Sequence, residues 1–197
     1  MICFINGELG DEVSYQDNDL IIRPITNDDL SRLWELIYKE DSPEWKKWDA
    51  PYYEHKSISY EEFLRQKDDY VDNERRWAIE VKGLVIGTVG YYWEHKPSLW
   101  LEMGIVIYDP HYWNGGYGKK VIKLWINHLF HTLPLVRVGY TTWSGNMRMI
   151  KLGEGLGMKE EARLRKVRYY NGKYYDSVRM GLLREEWENN HIFHEEV

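Results

Sequence analysis

Tyr108-Asp109-Pro110-His111-Tyr112-Trp113-Asn114-Gly115-Gly116-Tyr117-Gly118-Lys119-Lys120 joins an apolar run to a helical pattern. The run, residues 99–108 (LWLEMGIVIY), reads as a strand buried on both faces. Pro110 ends it, and three glycines follow in quick succession. From 116 to 131 the period becomes helical, with Val121, Leu124, Trp125 and Leu129 on one face. The first backbone N–H groups of a helix have no partners inside it, and the helix dipole adds to their pull on anions. Glycine lets a phosphate approach the main chain closely. Lys119 and Lys120 add positive charge. The segment therefore predicts a phosphate or pyrophosphate cradle, the bland alternative being a plain glycine-rich turn. No G-x-x-x-x-G-K-[ST] is present, and no G-x-G-x-x-G follows an early strand. A nucleotide-binding module of another fold would rest on the glycines alone.

Outward from this junction the chain alternates in period. LIIRPI (20–25) reads as a strand, and Leu30, Leu33, Trp34 and Ile37 as a helix face behind Thr26-Asn27-Asp28-Asp29. Residues 41–58 read as a loop or broken helix. Ser59-Tyr60-Glu61-Glu62 opens a second helix through about Asp72. Strands are expected at 75–82 and 84–93 around Lys82-Gly83, and at 135–143. A helix is expected over 146–156, then strands at 158–170 and 173–183 around Asn171-Gly172. The order β-αα-βββ-α-β-α-ββ implies an α/β fold with a mixed, mostly antiparallel twisted sheet flanked by helices. A single domain is expected over 20–184. It lies between an N-terminal extension, 1–19, where Asn6-Gly7 can turn a hairpin, and a C-terminal tail, 185–197.

The 197 residues carry a net charge of −6 and are 43% hydrophobic, an ordinary balance for a globular chain without general attraction to nucleic acid. The lone cysteine, Cys3, allows no internal disulfide and no cysteine-based zinc site. No apolar run reaches the length of a membrane span, and no signal peptide is legible, so a cytoplasmic location is expected. Ten tryptophans and 16 tyrosines point to an aromatic core or groove.

The strand–loop–helix resembles the cofactor motif of the GCN5-related N-acetyltransferase (GNAT) superfamily, Gln/Arg-x-x-Gly-x-Gly/Ala after a strand ending near Asp-Pro. Here Trp113-Asn114-Gly115-Gly116-Tyr117-Gly118 stands in that pattern, with Trp113 in place of the usual Gln or Arg. Asn146, eleven residues before Gly157-Met158, resembles the family's Asn…Gly-Phe helix. The Glu-Met-Gly strand (102–104) and the hairpin from Arg168-Tyr169 to Tyr175 are similar to the ribosomal-protein-alanine N-acetyltransferase-like branch. The resemblance implies acetyl-CoA as co-substrate, a primary amine as acceptor and no metal, and it leaves a homodimer open. It implies that strands 99–108 and 135–143 splay apart. It assigns the pantetheine to backbone groups of Val106, Ile107 and Tyr108 and to Asn146, and the phosphates to Trp113, Asn114, Gly115, Gly116, Tyr117, Gly118 and Lys119.

Acyl transfer needs an amine stripped of a proton and a donor for the developing oxyanion. Glu102, the sole acid in an apolar strand, is the candidate base; a solvent-facing or structural role is its alternative. Relatives place a tyrosine or serine acid where this chain has Gly153 and Met149, so a non-catalytic acyl-CoA-binding module is a competing expectation. Polyamines and aminoglycosides are alternative acceptors to a protein N-terminal amine. His111 reads as a surface contact, and His128 and His131 as a helix pair without further metal ligands. Arg163, Arg165, Lys166 and Arg168 read as a solvated basic strand, with contact to a CoA phosphate or an acidic acceptor as the alternative. Trp45, Trp48, Tyr52 and Tyr53, with Glu44, Asp49 and Glu54, form either an acceptor wall or a hydrophobic cover.

Overall fold

The computed structural model of the protein describes residues 3–4 and 13–192, with side chains from 13 to 189. The described residues form two sheets. One has six strands in sequential order: β1 (Cys3–Phe4), β2 (Tyr15–Asp17), β3 (Leu20–Pro24), β4 (Arg76–Val81), β5 (Leu84–His95) and β6 (Trp100–Ile107). The other has three, in the order β7 (Arg137–Trp143), β9 (Lys173–Leu183), β8 (Lys159–Tyr170). The helices are α1 (Leu30–Ile37), α2 (Tyr60–Leu64), α3 (Tyr117–Thr132), α4 (Met147–Glu154) and α5 (Arg184–Ile192). The mixed, largely antiparallel α/β class and the element order from Leu20 onward agree with the sequence reading.

The chain gathers into two compact units that alternate along its length. The described residues of the first lie within 1–49, 53–90 and 105–125, and those of the second within 50–52, 91–104 and 126–197.

In the first unit, β2 to β5 form an antiparallel meander. Lys82 (φ 53°) and Gly83 (φ 78°) are both left-handed, the conformation a two-residue hairpin needs to match the twist of its strands. α1 buries Leu30, Leu33 and Ile37 in one cluster with Phe63, Tyr70 and Tyr108. Full burial of such side chains contributes about 1.5–3 kcal/mol each. Arg23 holds Glu80 at 2.8 Å and the buried Asp29 at 2.7 Å. Asp29 also accepts from Thr26 N–H at 2.8 Å, closing the chain into α1.

Two expectations shift here. The helix placed over 59–72 stops at Leu64, followed by a single turn at Lys67–Asp69. Its cap is as expected, with Ser59 Oγ accepting from Glu62 N–H at 3.1 Å. Beyond Leu64 the run Arg65-Gln66-Lys67-Asp68-Asp69 offers no apolar side chain to bury, so nothing sustains the helix. The extension contains β2, which pairs with β3 and buries Tyr15 against Trp77 at a ring separation of 6.0 Å. Asn6-Gly7 lies outside the described residues.

In the second unit, β7 and β8 both pair with β9. Asn171 (φ 46°) and Gly172 (φ 75°) form the expected left-handed turn. α4 lies on β7 through Tyr140, whose hydroxyl donates to the Met149 carbonyl at 2.6 Å. Any Cβ at position 153 would collide with that hydroxyl, so the strand fills the space that α4 leaves open at Gly153. Trp187 of α5 donates to Asn127 at 2.8 Å, and the Arg184 guanidinium covers the Phe130 ring.

Candidate active site

The cradle predicted at 113–119 lies wholly in the first unit. Tyr108 donates its amide to Ile86 O of β5 at 2.9 Å. Backbone groups alternate in direction along a strand, so those of Ile107 point away from β5. β6 is the last strand of its sheet, and that outward side is a sheet edge of the kind that takes an amide-bearing chain as an added strand. Gly87 keeps the end of β6 close to β5, since a Cβ there would strike the Val106 carbonyl. The Tyr108 ring is buried and shares a hydrogen bond of 2.9 Å with Thr88. Burial pushes its phenol up to about 12, so it stays protonated near neutral pH.

After Tyr108 the chain turns on Asp109. Its carboxylate accepts from His111 N–H at 3.1 Å, from the His111 ring at 2.8 Å and from Arg32 at 3.1 Å. His111 is thus a loop-holding contact. Trp113, where the motif elsewhere has Gln or Arg, donates its indole N–H to Ile107 O at 2.8 Å. The indole bolts the loop to the strand end and occupies one of the outward carbonyls expected to meet pantetheine. Asn114 (φ 61°) and Gly116 (φ 80°) are left-handed on either side of Gly115. Such alternation turns successive amides into an anion-binding concavity. The first α3 bond runs from Lys120 N–H to Gly116 O, so the amides of Gly116, Tyr117, Gly118 and Lys119 precede the helical ladder. A Cβ at Gly116 would meet no protein atom within 4 Å, so the space beside it is open. Tyr117 is held by Asp19 at 3.2 Å and Lys120 by Asp17 at 3.5 Å; the exposed Lys119 has no ion pair among the described residues. This backbone fits a pyrophosphate.

Glu102 and Asn146 belong to the second unit. Glu102 is fully buried. Arg137 donates to its Oε1 at 3.1 Å, Trp100 donates to the same oxygen at 3.3 Å, and Thr141 reaches Oε2 at 3.4 Å. Arg137 also binds Glu161 at 2.5 Å. Burial alone would lower the guanidinium pKa, but the hydrogen bonds and charges of Glu161 and Glu102 outweigh it and raise the net value. Gly139 makes room for this arrangement, because a Cβ there would strike the Arg137 guanidinium. Sequence reading found Glu102 but not Arg137, whose partner stands 35 residues away on another strand. The Asn146 side-chain oxygen caps α4, accepting from Met149 N–H at 3.2 Å.

The aromatic residues of 41–58, read as either an acceptor wall or a hydrophobic cover, divide. Trp45 is core, with its indole donating to Leu36 O at 3.0 Å and its ring edge-on to Tyr108. Tyr52 meets Trp143 edge-on at 6.0 Å, while Tyr53 is exposed. Two of the three acids are taken by lysines, Glu44 by Lys47 and Glu54 by Lys56.

No group of three or more potential metal ligands occurs among the described residues, and none of their helices is long and apolar enough to cross a membrane. His128 is buried in α3; burial, reinforced by the charge of His131, lowers its pKa to about 4. A group whose folded pKa lies below its unfolded value of about 6.5 contributes stability above that value and loses it as pH falls through the folded one. The shift corresponds to roughly 3 kcal/mol lost between about pH 6.5 and 4. Urea midpoints across this range should fall in the wild type and fall less steeply in His128→Gln. Identical slopes would contradict the assignment.

The family model for the acetyltransferase (GNAT) domain matches residues 19–159, more than half of the chain. The SPbeta prophage-derived uncharacterized N-acetyltransferase YokL of Bacillus subtilis (strain 168) is 34% identical over 105 residues, 53% of this chain and 52% of that protein. The chain thus spans about half the length of the curated relative it matches. Among solved structures, the spermidine N-acetyltransferase of Vibrio cholerae in complex with CoA and spermine superposes with a TM-score of 0.73 at 21% identity, covering 88% of this chain and 100% of that one. A GNAT-family acetyltransferase of Bacillus anthracis gives 0.70 at 18% identity, with the same two coverages, 88% and 100%. At these identities the likeness is one of fold. With the family match over 19–159, the edge strand β6 and the amide-rich entry to α3 have a common explanation: the chain belongs to the GNAT acetyltransferase family.

Proposed function

We propose that the protein transfers an acetyl group from acetyl-CoA to a primary amine, the α-amine of a protein N-terminus. The observation that carries this reading is the run from edge strand β6 into left-handed Asn114 and Gly116 and the unladdered amides of α3. In this reading those amides, with Lys119, bind the pyrophosphate, and the outward N–H of Ile107 aligns the pantetheine; the backbone groups of Val106 and Tyr108, also expected there, face β5 instead. Asn146 fixes the start of α4. Acetyl-CoA supplies an acyl group activated on sulfur. The amine nitrogen bonds to the carbonyl carbon and the C–S bond breaks. A main-chain N–H near Val106 steadies the oxyanion. Glu102, directly or through water, takes the proton that the amine loses. The departing thiolate needs no acid, since thiols have a pKa of about 8.5; this fits Gly153 and Met149, which have none to offer.

An α-amine has a pKa of ~7.7–8.0, so a fair fraction is neutral at pH 7, whereas a lysine at ~10.4 is nearly all protonated. A site with one candidate base suits the former. The relative solved with spermine makes a polyamine the competing acceptor. The test compares kcat/KM for a short peptide with a free N-terminus, the same peptide blocked there and carrying lysine, and spermidine. The neutral fractions at pH 7 differ by a few hundredfold, partly offset by the greater nucleophilicity of the more basic amine, so the free N-terminus should win by about tenfold or more. Preference for either competitor would overturn the acceptor assignment.

A further inference from the structure

The second unit holds a charged group that the reaction above does not use. Arg168, in β8, is half-buried, and its Nε is sealed from solvent without an acceptor. Its guanidinium lies 5.1 Å from the centroid of the Tyr52 ring, and Nη1 donates only to the neighbouring Val167 carbonyl, at 3.3 Å. Among the described residues no carboxylate pairs with it. Arg137, Arg163, Arg179 and Arg184 of the same unit each hold one. A buried donor on a charged group is costly when it stays unmade. A guanidinium offers a planar fork that matches a carboxylate.

The surroundings say where such a carboxylate would sit. Tyr52 meets Trp143 edge-on, and Trp143 also meets Tyr175 at 4.8 Å and Tyr170 at 6.1 Å. Arg137, Thr141 and Trp143 share one face of β7, since residues two apart point the same way. Arg137 and Thr141 both reach Glu102. The aromatic cluster under Arg168 is therefore one pleat repeat, roughly 7 Å, along the strand from the residue that contacts the proposed base.

We propose that Arg168 binds a carboxylate of the acceptor, so that the preferred amines carry an acidic group close to the reacting nitrogen. This rests on the acetyltransferase reading and deepens it. It sets the protein against polyamines, whose second charge would face a bare guanidinium.

The experiment uses two peptides with free N-termini that differ only in Glu or Gln at the second residue, together with a free amino acid and its amide. KM and kcat are measured for wild type, Arg168→Gln and Arg168→Lys, and binding of the acetylated Glu peptide is followed by calorimetry. In the wild type the acidic compounds should have KM values about ten- to a hundredfold below their neutral counterparts, the range for a charge-assisted hydrogen bond. Arg168→Gln should erase that ratio with kcat and the acetyl-CoA KM unchanged, and lysine should restore part of it. The peptide and amino-acid arms tell a side-chain carboxylate from an α-carboxylate; discrimination in either supports the proposal. Equal KM values in the wild type, a ratio that survives Arg168→Gln, or a loss confined to acetyl-CoA affinity would each overturn it. Arg168-dependent binding of the acidic peptide without turnover of any amine would overturn the acetyltransferase reading and support the carboxylate site. Turnover without charge preference would do the reverse.

Discussion

Gly116→Glu protein should fold as the wild type does and fail to bind acetyl-CoA. Residue 116 has φ 80°, and the space beside it is open to solvent. A Cβ there meets no protein atom within 4 Å, so the substitution starts in open space, but its backbone is strained by about 1–2 kcal/mol in the left-handed region. Its carboxylate would stand where a pyrophosphate must come within reach of the amides of 116–119. Losing two charge-assisted hydrogen bonds, at about 1.5–3 kcal/mol each, weakens binding by roughly a hundred- to ten-thousandfold. Like-charge repulsion adds to this. Calorimetry on the folded variant checks it; unchanged affinity would show that the cradle lies elsewhere.

Glu102→Gln should lower turnover by about a hundredfold or more, the usual scale for a lost general base, with acetyl-CoA affinity unchanged. The substitution keeps shape and leaves Arg137 its second carboxylate, Glu161, so no guanidinium is stranded. The alkaline rise of kcat/KM should weaken or move. Wild-type turnover with an unchanged pH profile would leave Glu102 a purely structural anchor for Arg137. Arg137→Met separates the two roles from the other side. It strands a fully buried carboxylate and should cost about 3–5 kcal/mol of stability, read as a lower urea midpoint.

Much of this was legible before the fold was known because it is local. The switch from a strand at 99–108 to a helical period at 116 needs only side-chain spacing and Pro110. Lys82-Gly83 and Asn171-Gly172 carry their left-handed geometry in their composition. What stayed hidden is made by partners far apart in the chain. Glu102 stood out as a lone acid, yet its environment is set by Arg137 and Thr141 on another strand. Trp113 read as a departure from the motif; its indole bond to Ile107 O is visible only once the loop has closed on the strand. Arg168 looked like one of four basic residues on a solvated strand, and only its sealed Nε sets it apart from Arg163, which is fully engaged by Glu160 and Asp176. β2 escaped notice because three residues, Tyr-Gln-Asp, are too short to show a period.

The most direct measurement puts both kinds of amine in one molecule. A peptide with a free N-terminus and a single internal lysine is incubated with acetyl-CoA and the protein, and tandem mass spectrometry locates the acetyl group. The expected product carries it on the α-nitrogen alone; acetylation of the lysine, or none while free CoA fails to appear, would contradict transfer to an N-terminal amine.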